Sequence, residues 1–191
     1  THATAPNVDS YIILKGQDFV QTNSGPPVAP NPSNVVFRSW VSLKGESTIT
    51  NVALVLPNAI ALDFPAHDQD HEFKFEDPFT SIGAMDAVYP SGLYTLLLAT
   101  SNEGTMTNKL TLTGNSYPAT PHLTNFAAAQ SVNPTNDFTL TWDLIPGVTT
   151  NDFIFISFRD CHDTEVFSTP SPAKPGMLNG TRTSLVIRGR T

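Results

Sequence analysis

Apolar residues in this chain recur at every second position, in short runs closed by Gly, Pro, Asn or Asp. A period of two puts successive side chains on opposite faces, so such runs fold as antiparallel strands with one buried face. Val35, Phe37, Val41 and Leu43 share one side of a long run, with Arg38, Trp40 and Ser42 on the other. The pattern continues through Val52, Leu54 and Leu56, turns at Pro57-Asn58, and returns through Ile60, Leu62 and Phe64. Phe73 and Phe75 then alternate with Glu72, Lys74 and Glu76. Two short opening strands are expected at 10–14 and 18–22, parted by Lys15-Gly16-Gln17. The loop from Gly25 to Pro32 has too few amide donors to pair in a sheet. Helical spacing occurs in one stretch, 79–88, where Phe79, Ile82 and Met85 recur every third residue and allow one or two turns.

Composition narrows the function classes. Ten Lys+Arg against 17 Asp+Glu leave a net charge of −7, the wrong sign for a phosphate backbone, so no nucleic-acid partner is expected. The 39% of hydrophobic residues is too high and too evenly spread for general disorder. No apolar run approaches the roughly 18 residues that a membrane span needs. Charged residues are 14% of the chain, against about a quarter in an average globular protein. Low charge with many Thr, Asn and Pro suits an exported protein, so an extracellular or cell-surface location is expected. The start, Thr1 to Pro6, has neither a basic n-region nor an apolar h-region, so no signal peptide is expected in it. Cys161 is the single cysteine, which rules out a disulfide within the chain. One glycosylation sequon occurs, Asn179-Gly180-Thr181.

Two motifs carry a family resemblance. The step Gly92-Leu93-Tyr94, which opens an alternating strand, resembles the tyrosine corner of immunoglobulin-like folds, where a phenol caps a backbone carbonyl. That strand runs to Thr100, turns at Ser101 to Gly104, and returns over 105–113. A linker follows at 114–121, semi-rigid through Pro118 and Pro121. The pattern then restarts at His122 to Phe126, Phe138 to Asp143, and Asp152 to Phe158. This order is similar to the opening of a fibronectin type III domain, and the resemblance implies that Trp142 is buried. Short strands are expected at 164–168 and 184–188. The expected fold is therefore all-β, with two tandem Ig-like/fibronectin type III-like β-sandwiches: a complete one over 1–115 and an incomplete one over 116–191. A sandwich of this kind needs about seven strands and about 100 residues, and the second half supplies five strands at most. Either the chain is a fragment, or strands from another molecule complete the sheet.

Candidate chemistry is sparse. His67-Asp68-Gln69-Asp70-His71-Glu72 offers oxygen donors of the kind calcium takes, but it lacks the glycine and distant glutamate of a calcium loop. It reads as a solvated acidic hairpin, and no metal is assigned. Asp160-Cys161-His162-Asp163 falls where a tight turn belongs, with no second cluster to build a zinc site. Trp40 lies opposite the apolar stripe and is the candidate ligand contact, since an exposed ring can stack on a sugar; the Pro-rich loop could equally cover it. No Gly-rich phosphate loop, nucleophile elbow or His-Glu-x-x-His motif occurs. The expected protein is non-catalytic and without a cofactor. It is a structural or adhesive protein that works through strand and sheet contacts between modules or subunits. Its expected partners are copies of itself or neighbouring domains of a longer chain. The alternative is a carbohydrate-binding accessory module that takes glycan at Trp40.

Overall fold

The computed structural model describes residues 8–30, 34–44, 48–65, 72–102, 104–171 and 174–189. The fold is all-β, built from antiparallel pairs. The chain divides into two compact units: Thr1–Asp18 with Ala29–Ser116, and Phe19–Val28 with Tyr117–Thr191.

The first unit contains β1 (Val8–Gln17), β2 (Val35–Leu43), β3 (Ile49–Val55), β4 (Ala61–Asp63), β5 (Glu72–Phe79), α1 (Ile82–Val88), β6 (Gly92–Thr100) and β7 (Gly104–Leu112). One sheet has the order β1-β2-β5 and the other β4-β3-β6-β7. The alternating stripe of β2 drives the packing. Val35, Phe37, Ser39, Val41 and Leu43 are buried, and so are Val52, Leu54, Tyr94, Leu96 and Leu98 of the other sheet. Aromatic rings join the two sheets: Phe37 stacks on Tyr89 with centroids 3.8 Å apart and lies 6.2 Å from Tyr94. Phe64, just beyond β4, meets Phe75 of β5 at 5.9 Å. Buried Ser39 donates to the carbonyl of Ile12, so its hydroxyl is satisfied inside the stripe.

The helical spacing over 79–88 resolves into two elements. Phe79 ends β5, and α1 begins after Ser81, whose Oγ accepts the amide of Ala84. Met85 is its buried residue. The helix stops at Tyr89 because Pro90 disfavours helical backbone in the residue before it. Gly92 then opens β6 at φ +146°, where a Cβ would lie 3.0 Å from Pro57; both facts call for glycine at this corner.

At the N-terminal end the expected break at Lys15-Gly16-Gln17 is absent. β1 runs unbroken to Gln17, because each of these residues stays in register with β2, Gly16 opposite Val36 and Gln17 opposite Val35. Residues 18–22 form no strand, and Val20 makes a single bridge with Val28. Val28 thus pairs despite its proline-rich setting, since it keeps an amide of its own to donate to Val20.

The second unit is built from α2 (Phe126–Ala129), β8 (Phe138–Thr141), β9 (Phe153–Ile154), β10 (Ser157–Arg159), β11 (Glu165–Ser168), β12 (Leu178–Asn179) and β13 (Ser184–Ile187). Among the described residues its strands form three separate pairs: β8 with β13, β9 with β12, and β10 with β11. The strand expected at 122–126 shrinks to one bridge between Leu123 and Trp142, because the chain turns into α2 at Phe126. Among the described residues its buried apolar side chains are Leu140, Trp142 and Ile145. The Trp142 indole donates to the carbonyl of Arg182, 2.7 Å away. Residues 19–28 cluster with this unit rather than with the first. The Gln21 carboxamide grips the backbone of Leu123 twice, donating to its carbonyl and accepting its amide. His122 donates to the carbonyl of Ser24 and faces Asp143 at 2.7 Å. The Asp143 bond is the main reason the imidazole is held above its ordinary protonation range.

Candidate functional site

Lys15 sits at an inward position of β1, two residues after buried Ile13 and opposite Phe37. An ammonium among apolar side chains is costly unless every proton has an acceptor. Here all three do. Nζ donates to Asp86 Oδ1 at 2.7 Å, to the Tyr89 carbonyl at 3.1 Å and to Asn115 Oδ1 at 2.9 Å. The Lys15 side chain is 5% exposed and that of Asp86 17%. α1 supplies two of the acceptors, the Asp86 carboxylate and the carbonyl at its C-cap, where a cation is favoured by the helix dipole. Asn115, three residues beyond β7, supplies the third. Its Oδ1 also accepts the hydroxyl of Ser91 at 2.8 Å.

Two buried phenols flank this cluster. Tyr94 Oη donates to the carbonyl of Pro90 at 2.8 Å, the contact that the Gly92-Leu93-Tyr94 step anticipates. Burial, with a smaller contribution from the charge on Asp86, pushes its phenol up to about 12. Tyr89 Oη donates to Asp77 at 2.8 Å, and burial first, then that hydrogen bond, hold it above the usual phenol range. Folding therefore favours protonated Tyr94. Its contribution is complete below a pH of about 10, the unfolded value, and is lost as pH rises through about 12. We expect the first unit to lose stability across that window, in step with phenolate absorbance. Tyr94→Phe should flatten the dependence, and an unchanged profile in that variant would count against the assignment.

The residues singled out in the sequence are dispersed. Trp40 lies on the outer face of β2 between Ile12 and Lys74, and it is half-buried rather than exposed, because strands flank it on both sides. Trp142 belongs to the second unit's core, 4% exposed. Cys161 is an exposed free thiol in the β10–β11 turn, with its sulfur 3.5 Å from His162 Nδ1. Asp160 shapes that turn by accepting the amides of His162 and Thr164. Asn179 of the sequon spends its carbonyl oxygen on Thr181. Residues 67–71 of the acidic stretch lie outside the described residues; Glu72 pairs with Lys74 on β5. Among the described residues no three His, Cys, Asp or Glu side chains are grouped to hold a metal.

Sequence reasoning missed the Lys15 cluster, whose members are 71 and 100 positions apart. One signal was present: a lysine in the apolar register set by Ile13.

The second unit presents a different surface. Each of its strand pairs is two strands wide. Phe153 and Phe155 are 46% and 48% exposed, and Leu144, Val166 and Val186 are exposed as well. A groove of about 430 Å³ runs past Leu140, Trp142, Ile145, Ile154 and Phe158. No family model, curated protein or solved structure matches the chain.

Proposed function

We propose that this chain is a non-catalytic structural or adhesive protein of the cell exterior, built from immunoglobulin-like and fibronectin type III-like sandwiches. It acts through strand and sheet contacts between modules or subunits, as in a filament. The observation that carries the reading is the apolar stretch Phe153 to Phe158, which has paired strands only two wide and exposed aromatic side chains. Unpaired strand edges beside an apolar face invite strand addition. The Tyr94 corner and the orders β1-β2-β5 and β4-β3-β6-β7 support the immunoglobulin-like reading of the first unit.

Sedimentation tests it. The intact chain should self-associate at low micromolar concentration. Burying a phenylalanine contributes about 1.5–3 kcal/mol, so Phe155→Glu should weaken association by about ten- to a hundredfold. A chain that stays monomeric at high micromolar concentration would overturn the self-assembly reading. Glycan binding lost in Trp40→Ala would put the carbohydrate-binding alternative in its place.

A further inference from the structure

We propose that Lys15 and Asn115 become joined by an amide bond, so that the first strand of the first unit is covalently tied to the residues that follow its last strand. The groups that this condensation needs already touch. Nζ of Lys15 contacts the carboxamide oxygen of Asn115, one bond from the carbon it would attack, and the Asp86 carboxylate lies against the same nitrogen. An ammonium offers only donors, so the atom facing it is the carbonyl oxygen of Asn115. The Ser91 hydroxyl donates to that oxygen too and polarises the carbonyl. Holding nucleophile and carbonyl in contact converts an encounter between two groups into a step within one folded chain.

The chemistry balances without an oxidant or a further reactant. Asp86, whose Oδ1 lies 2.7 Å from Nζ, takes one proton from it. The amine lone pair then forms the new bond to Cγ of Asn115, and the carbonyl pair moves onto Oδ1 beside Ser91. Asp86 passes its proton to Nδ2 and receives the second from Nζ, which follows the same route. The Cγ–Nδ2 bond breaks, and the nitrogen leaves as ammonia carrying the extra proton. Nζ keeps one hydrogen as an amide nitrogen, and Asp86 ends as it began. Asp86 thus has a second role beyond its ion pair, and the Tyr89 carbonyl positions the amine.

Intact mass spectrometry of the full folded chain tests the proposal. The wild-type chain should be lighter than its sequence by one ammonia, and a digest should contain one branched peptide joining residues 15 and 115. Asp86→Asn, close in shape, should fold and keep its full mass. Asn115→Asp should reach the same linked product, losing water in place of ammonia. Lys15→Arg should stay unlinked. A folded wild-type chain of full mass would overturn the proposal. So would an ammonia loss that maps to Asn179-Gly180, where ring closure on the following amide releases the same mass. A branched peptide that persists undiminished in folded Asp86→Asn would overturn the role of the carboxylate.

Discussion

Measured against the unlinked chain, replacing Lys15 by alanine should cost the first unit about 3–5 kcal/mol, the range for removing one member of a buried ion pair; against the linked chain it forfeits the cross-link as well. The size follows from what is left behind. Asp86 would keep its charge at 17% exposure without the cation it faces, and the Tyr89 carbonyl and Asn115 carboxamide would each lose a donor. The loss should appear as a lower denaturant midpoint, with peptide-resolved hydrogen exchange showing that β1, α1 and the end of β7 open together. Lys15→Met keeps the apolar stem but not the charge, and should recover only the packing part. A change under about 1 kcal/mol, the scale of a solvated surface pair, would show that the cluster holds nothing together.

Trp142→Ala should have a comparable cost, about 3–5 kcal/mol for truncating a large buried aromatic, but a different outcome. Among the described residues of the second unit, Leu140 and Ile145 are the buried apolar side chains that accompany Trp142 and could share the loss. Truncation would also free the carbonyl of Arg182, which the indole now satisfies. A unit with so thin a core should lose cooperative structure altogether, so that amides of β8 and β13 exchange as in an unfolded chain while those of β2 and β6 remain protected. Retained protection in β8 would mean that Trp142 is not what organises this unit.

The two halves were not equally legible in the sequence. In the first, the stripe from Val35 to Leu43 and the hairpin from Val52 to Phe64 follow directly from alternation, because a sheet with one buried face writes its register into a period of two. The Tyr94 corner was legible for a similar reason: glycine, turn and tyrosine lie within a few residues of one another. Where these local signals conflicted with tertiary pairing, pairing won. Lys15-Gly16-Gln17 looks like a turn, yet the ladder to β2 holds it extended. His122 to Phe126 looks like a strand, yet it pairs at one residue and then bends into α2.

Alternation alone determined that this chain is all-β and which side chains along β2 and β3 form the inward stripe, since facing is a property of neighbouring residues. The meeting of an amine, a carboxylate and a carboxamide at Lys15, Asp86 and Asn115 was decided by the tertiary structure, as was the capture of residues 19–28 by the second unit. Each depends on groups tens of residues apart in the chain, and only the closing of the sheets brings them within a hydrogen bond of one another.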